Sequence, residues 1–154
     1  MAVINPYNYS RPKNVVLKET TQLSKTKMSV KPANRDKQDV YLTQKVMNAK
    51  PEELTLMLYE GLVRFIKLAK IAVNRKQPEQ AHENAIKAQN IVSELSATLD
   101  KSFQFAQDWL SLYDFIDEEL VQGNLHKEEK RFDNALEIAE ELVGMWRELM
   151  QSVQ

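Results

Sequence analysis

A chain of 154 residues, 43% apolar and 28% charged, is long enough for one domain with a real core and short for two. Its 3 Gly and 5 Pro are too few for an all-β protein rich in turns, and the lack of cysteine excludes disulfides and thiolate metal sites. The formal net charge of −1 hides a division: residues 1–40 hold eight Lys/Arg against three acids, residues 41–154 thirteen against nineteen.

Residues 1–40 carry Pro6, Pro12 and Pro32 among scattered Ser, Thr, Asn and Lys, with few large apolar side chains beyond Val15, Val16 and Leu17. Such a stretch buries too little to offset its chain entropy, so it reads as a basic, mostly disordered N-terminal arm. Its cations are dispersed rather than bunched, which fits a solvated extension better than a nucleic-acid or membrane-binding patch. MAVINPYNY has no charged n-region and no long apolar segment, so no secretory signal is expected there. Nor does any run of about 18 apolar residues offer a membrane span.

From about Tyr41 the pattern turns helical, and residues 41–154 read as one domain. Pro51 suits a first helical turn because its missing N–H is one that a helix leaves unsatisfied, and Glu52 and Glu53 suit the positive dipole end. Lys50 cannot accept a capping hydrogen bond, so Asn48 is the expected source of one. The first long helix is thus expected from Pro51 to about Lys76, where Gln77-Pro78 breaks it. A second runs from Pro78 to about Leu99 on a narrow stripe of Ala81, Ala85, Ala88, Val92, Leu95 and Leu99. The third is expected from about Ser102, capped by Asp100 or Ser102, to Gln122, with Gly123-Asn124 as its stop. The fourth runs from about Lys127 to Met150, buried along Phe132, Leu136, Ala139, Val143, Trp146 and Met150. Four long helices with short connections imply an antiparallel up-down four-helix bundle, all-α, with the flexible arm ahead of it.

Three of these helices are apolar over too wide an arc. At 100° per residue the apolar side of the first covers roughly 200°, against about 100° for a helix that buries one stripe. Leu56, Val63 and Ile71 fall outside even that arc. The third helix continues past its main side through Phe105, Leu112 and Phe115, the fourth spreads similarly from Leu136 round to Met145, and the second carries a further small-residue line in Ile86, Asn90, Ser93 and Ala97. Surplus apolar surface on a small bundle points to a partner, or to self-burial in an obligate oligomer or helical adaptor. The candidate partner-binding residues are Tyr41, Val46, Leu56, Tyr59, Val63, Ile86, Ala97, Phe105, Leu112 and Phe115.

Catalytic chemistry is sparse. Glu79 and His82 make one Glu-x-x-His pair, but a di-metal carboxylate bundle needs two, and His126 has no acid three residues before it. Asp117 lies within the apolar arc of the third helix, where an acid is more often a paired structural group than a catalytic one. No phosphate loop and no nucleophile with its base can be located. The expectation is a non-enzyme with no metal and no cofactor.

Several stretches resemble the flagellar secretion chaperone FliS family. The match is best at Pro51-Glu52-Glu53-Leu54-Thr55-Leu56-Met57-Leu58-Tyr59-Glu60-Gly61 through Arg64-Phe65-Ile66. It continues in Lys87 to Leu95, in Leu112-Tyr113-Asp114-Phe115 and around Trp146, with Tyr41, Val46 and Ala49 ahead of the first long helix. Three departures stand out. Asn5-Pro6-Tyr7 is separated from Tyr41 by a basic insertion, Lys50 replaces a Ser or Thr, and Glu118-Glu119 stand where a basic pair is common. The resemblance implies a cytoplasmic export chaperone whose partner is the disordered C-terminal segment of flagellin, which turns helical on binding. It implies the flagellar export gate and other flagellar regulators as further partners, and neither nucleic acid nor stable membrane insertion. The segment from Tyr41 to Met47, apolar at Tyr41, Leu42, Val46 and Met47, is expected to lie on the bundle and shield part of the binding surface until flagellin displaces it.

Overall fold

The computed structural model describes Pro6 and Tyr7 and residues 32–152. Among the described residues the protein is all-helical: α1 is Pro32–Asn48, α2 Pro51–Asn74, α3 Pro78–Thr98, α4 Ala106–His126 and α5 Glu129–Gln151. The one extended contact is an isolated antiparallel bridge between Tyr7 and Leu99. Helix α1 begins inside the stretch whose composition reads as the arm; apart from Pro6 and Tyr7, the rest of that arm lies outside the described residues.

Each boundary has a local cause. At the start of α2, Lys50 is extended, with φ −69° and ψ 157°, and its N–H donates to Glu53 Oε2 at 3.1 Å. The acid three residues on therefore supplies the reciprocal half of a capping box, in place of the cap expected from Asn48. Helix α2 ends at a lysine in the left-handed region: Lys76 has φ 58°, which lets the Gln77 N–H reach back to the Ala72 carbonyl at 2.8 Å. Pro78 then opens α3.

Helix α4 departs from expectation at both ends. The Asp100 carboxylate accepts from the Ser102 N–H at 2.9 Å and from its hydroxyl at 2.6 Å, which makes a turn rather than a helix cap, and α4 begins only at Ala106. Its far end passes through Gly123 and stops at Lys127, left-handed at φ 50°, where the Glu128 N–H meets the Gly123 carbonyl at 3.0 Å. Gly123 serves packing instead of termination. A Cβ there would lie 3.1 Å from the Arg131 Cβ and 3.2 Å from the Phe132 ring.

The four long helices pack in a closed cycle: α2 lies against α3 and α5, and α4 against the same two. The core they enclose is built from Trp146, Tyr59, Tyr113, Phe65 and Phe132 with Leu54, Leu62, Leu95 and Leu120. Helix α3 gives it alanine in its first half and Ile91, Val92 and Leu95 in its second. Ala81, Ala85 and Ala88 are fully buried, so the neighbouring backbones come close, and a Cβ on Gly61 would stand 3.3 Å from Ile91 Cδ1. The Trp146 indole N–H is satisfied by the Glu52 carbonyl at 3.1 Å, which ties the last helix to the first turn of α2.

Candidate functional site

An aromatic socket near the start of α2 receives the N-terminal segment. The Pro6 carbonyl accepts from the Asp100 N–H, and the Tyr7 side chain enters the core at 4% exposure. Its hydroxyl is hydrogen-bonded to those of Tyr59 and Tyr113, which bond each other at 2.6 Å. Its ring lies 5.8 Å from that of Trp146 and 6.1 Å from that of Trp109, centroid to centroid. Burial drives the Tyr7 phenol far above the ordinary tyrosine range, and the Tyr59 and Tyr113 phenols add to the rise. Tyr59 is pushed up to about 12, again by burial, with hydrogen bonds from Tyr113 and Tyr7 working in the opposite direction. Tyr7 and Tyr59 are thus neutral phenols, and the three hydroxyls exchange hydrogen bonds. Composition assigns Tyr7 to the arm and gives no sign of this; the Asn-Pro-Tyr triplet is the signal that marks it.

The residues singled out from the sequence divide into three groups. Tyr59 and Val46 are inside the core of the free chain, because the tyrosine hydroxyl has partners there and α1 turns Val46 inward. Leu56, Val63 and Leu112 are half-buried and pack against the core. Tyr41, Ile86, Ala97, Phe105 and Phe115 reach the surface. Exposed apolar side chains outside that set are Val40 and Met47 on α1, Ile71 on α2, Val121 and Leu125 on α4 and Met145 on α5. The Leu42 side chain lies outside the described ones.

These surface residues do not form one stripe. Phe115 and Leu112 precede Glu119 by one and two helical turns, and the Glu119 carboxylate faces α5, accepting from Arg131 Nη1 and Asn134 Nδ2, both at 3.1 Å. The acidic pair Glu118-Glu119 thus places one acid inside the α4–α5 contact. Ala97 stands on α3 and faces the opposite flank of α4. There a groove of 560 Å³ runs between α3 and α4, with Ser93, Ser96 and Ala97 on one wall and Leu110, Ser111 and Asp114 on the other. Ser93 and Ala97 belong to the small-residue line of the second long helix; Leu110, Asp114 and Asp117 recur at helical spacing on α4. Phe105 stands near the lower end of α4, edge-on to Phe103 at 5.8 Å, and Phe103 in turn meets Trp109 at 5.1 Å.

Electrostatics set the seams apart. Along α2–α5, Glu60 pairs with Arg147 at 2.9 Å, Lys67 with Glu140 at 3.6 Å and Lys70 with Asp133 at 2.6 Å, while Asn74 donates to Glu129 at 3.0 Å. Across α3–α4, His82 Nδ1 meets Asn124 Nδ2 at 2.9 Å and Gln89 donates to Asp117 at 3.4 Å. Asp117 is therefore a hydrogen-bonded structural acid. His82 is engaged with α4, and the described residues contain no group of three or more His, Cys, Asp or Glu placed to hold a metal ion. Among them, no helix is long and apolar enough to cross a membrane.

Comparison with known proteins gives one consistent result. The family model described as "Flagellar protein FliS" matches residues 33–153. A flagellar secretion chaperone FliS of Bacillus subtilis is 35% identical over 112 residues, covering 73% of this chain and 84% of that protein. One from Campylobacter jejuni is 33% identical over 101 residues, covering 64% of this chain and 79% of its own length.

Proposed function

This chain belongs to the FliS family of flagellar proteins, and from that premise we propose that it is a cytoplasmic export chaperone for flagellin. In this reading it is a non-enzymatic protein that binds the disordered C-terminal segment of flagellin, prevents premature polymerisation and assists delivery to the flagellar secretion apparatus. The observation that carries the reading is surplus apolar surface on a bundle whose core is already full: Phe115, Val121 and Leu125 all stand exposed on the single helix α4, with Phe105 exposed at its N-cap. A disordered segment that turns helical as it binds can cover such dispersed patches, and its ordering cost keeps the complex releasable.

An antiparallel up-down bundle is part of the proposal. As α2 residues rise from Glu60 to Asn74 their α5 partners fall from Arg147 to Glu129, and His82 and Gln89 meet Asn124 and Asp117 in the same opposed order. The division into a basic arm, residues 1–40, and a chaperone domain, residues 41–154, is proposed with it, Tyr7 of the arm being seated in the domain's core. The α1 segment around Tyr41 and Met47 then covers part of the binding surface until flagellin displaces it.

Co-expression with the C-terminal segment of the cognate flagellin tests the function: the expected product is a stable one-to-one complex, and its failure to form sinks the reading. Light scattering on the free chain separates this from self-burial in an oligomer. Deleting residues 1–47 is expected to tighten flagellin binding or promote self-association; no change in either counts against the shielding role.

A further inference from the structure

Helix α4 is fastened to the bundle in two different ways along its length. In its second half the neighbouring helices hold it directly. Glu119 accepts from Arg131 and Asn134 on α5, while Asp117 accepts from Gln89 and Asn124 meets His82 on α3. Gly123 adds a close backbone approach to Phe132. These ties fall between Asp117 and Asn124.

The first half, from Ala106 to Phe115, is fastened through a third party. Its start has no side-chain cap, because Phe105 at the N-cap offers nothing to the first free N–H groups. Of the side chains it buries, Trp109 and Tyr113 both converge on residue 7: the Tyr113 hydroxyl bonds that of Tyr7, and the Trp109 ring lies 6.1 Å from the Tyr7 ring. The connection leading into the helix converges on the same place. Leu99 bridges to Tyr7, the Asp100 N–H donates to the Pro6 carbonyl, and Phe103 packs on Trp109 at 5.1 Å.

From this we infer that Pro6 and Tyr7 are the latch of a hinged unit: residues 99–115 form one locally cooperative segment that is closed while Tyr7 is seated and loosens when it leaves, pivoting on the fastened half of α4 at Glu119 and Gly123. Tyr59 and Trp146 lose the same contact, but α2 and α5 keep Leu62, Phe65, Ala135 and Ala139 in the core. The loss therefore falls on the segment that residues 6 and 7 stitch together, and local opening there is coupled to the seat of Tyr7. The device belongs to the free chain and does not depend on which client the protein carries.

Hydrogen exchange of the full chain, read by mass spectrometry in overlapping peptides, tests the latch. Tyr7→Ala is expected to speed exchange in residues 99–115 by about tenfold or more, with residues 116–126 and α2 changed by less than about threefold. Phe132→Leu, which thins the packing against Gly123, is expected to speed residues 116–126 at least as much as 99–115. Equal acceleration of both halves of α4 by Tyr7→Ala, or none, overturns the latch. Acceleration confined to 99–115 in Phe132→Leu as well overturns it too, since that segment would then fray whatever is disturbed. Tyr7→Phe keeps the ring and removes only the hydroxyl, so the same selective acceleration is expected at a few-fold. If circular dichroism shows the alanine variant unfolded, the phenylalanine variant decides by the same comparison of halves.

Discussion

Tyr7, Tyr59 and Tyr113 bring three hydroxyls together in an interior otherwise lined by indoles and leucines. Each can donate one hydrogen and accept others, so the cluster satisfies itself without a charge. Replacing Tyr59 by phenylalanine keeps the ring and removes one member; the expected cost is about 1–2 kcal/mol, read from urea unfolding. The raised values of Tyr7 and Tyr59 have a definite sign in stability. Unfolded tyrosines ionise near 10 while these two stay neutral in the fold, so the folded chain holds more protons and stability falls as pH rises from about 10 through about 12 and beyond. Thermal midpoints followed from pH 7 to 11 should be flat at first and then drop, less steeply in Tyr59→Phe. A midpoint that rises above pH 10 would contradict the arrangement.

At the scale of the element, helix ends and helix spacing carry different information. Lys76 holds a left-handed conformation that glycine adopts freely, so Lys76→Gly is expected to raise stability by about 0.5–1 kcal/mol. Ala88 is fully buried on the close-packed side of α3, and Ala88→Leu should cost about 1–3 kcal/mol by overpacking. By contrast Glu60→Gln, which breaks an exposed pair with Arg147, should change stability by less than about 1 kcal/mol. All three are measurable by chemical denaturation. The same contrast explains what the sequence made legible. Pro51, Pro78 and the alanine stripe announced α2 and α3 because local chemistry decides those features. The ends of α4 were misread because Gly123 is small for the sake of Phe132, a contact made only after folding, and because Asp100 caps a turn just before the helix. Helix α1 was missed because its charged residues leave little periodic apolar pattern between Pro32 and Val40.

At the scale of the whole molecule, the packed core does not begin where the regular helical sequence begins. Tyr7 and Val46 are core residues contributed from ahead of the first long helix. Removing residues 1–47 should therefore lower unfolding stability by about 4 kcal/mol or more, because one large aromatic and one branched side chain leave the interior together. A truncated chain as stable as the full one would place Tyr7 outside the cooperative unit. The candidate surface was only half legible for a related reason. Periodicity finds apolar residues at a given angle on a helix, but which flank faces a neighbour depends on the packing cycle, and that cycle sends Leu112 toward α5 and Ala97 toward the open groove. Tyr59 looked available because an arc cannot reveal that Tyr7 comes from far along the chain to cover it.

The two tryptophans of this chain are Trp109 and Trp146, and the Tyr7 ring lies within 6.1 Å of both by centroid distance. Their fluorescence is in consequence a built-in gauge of whether residue 7 is seated. A shift in emission on mixing with a client of no tryptophan would time the departure of the N-terminal segment directly, with no label attached.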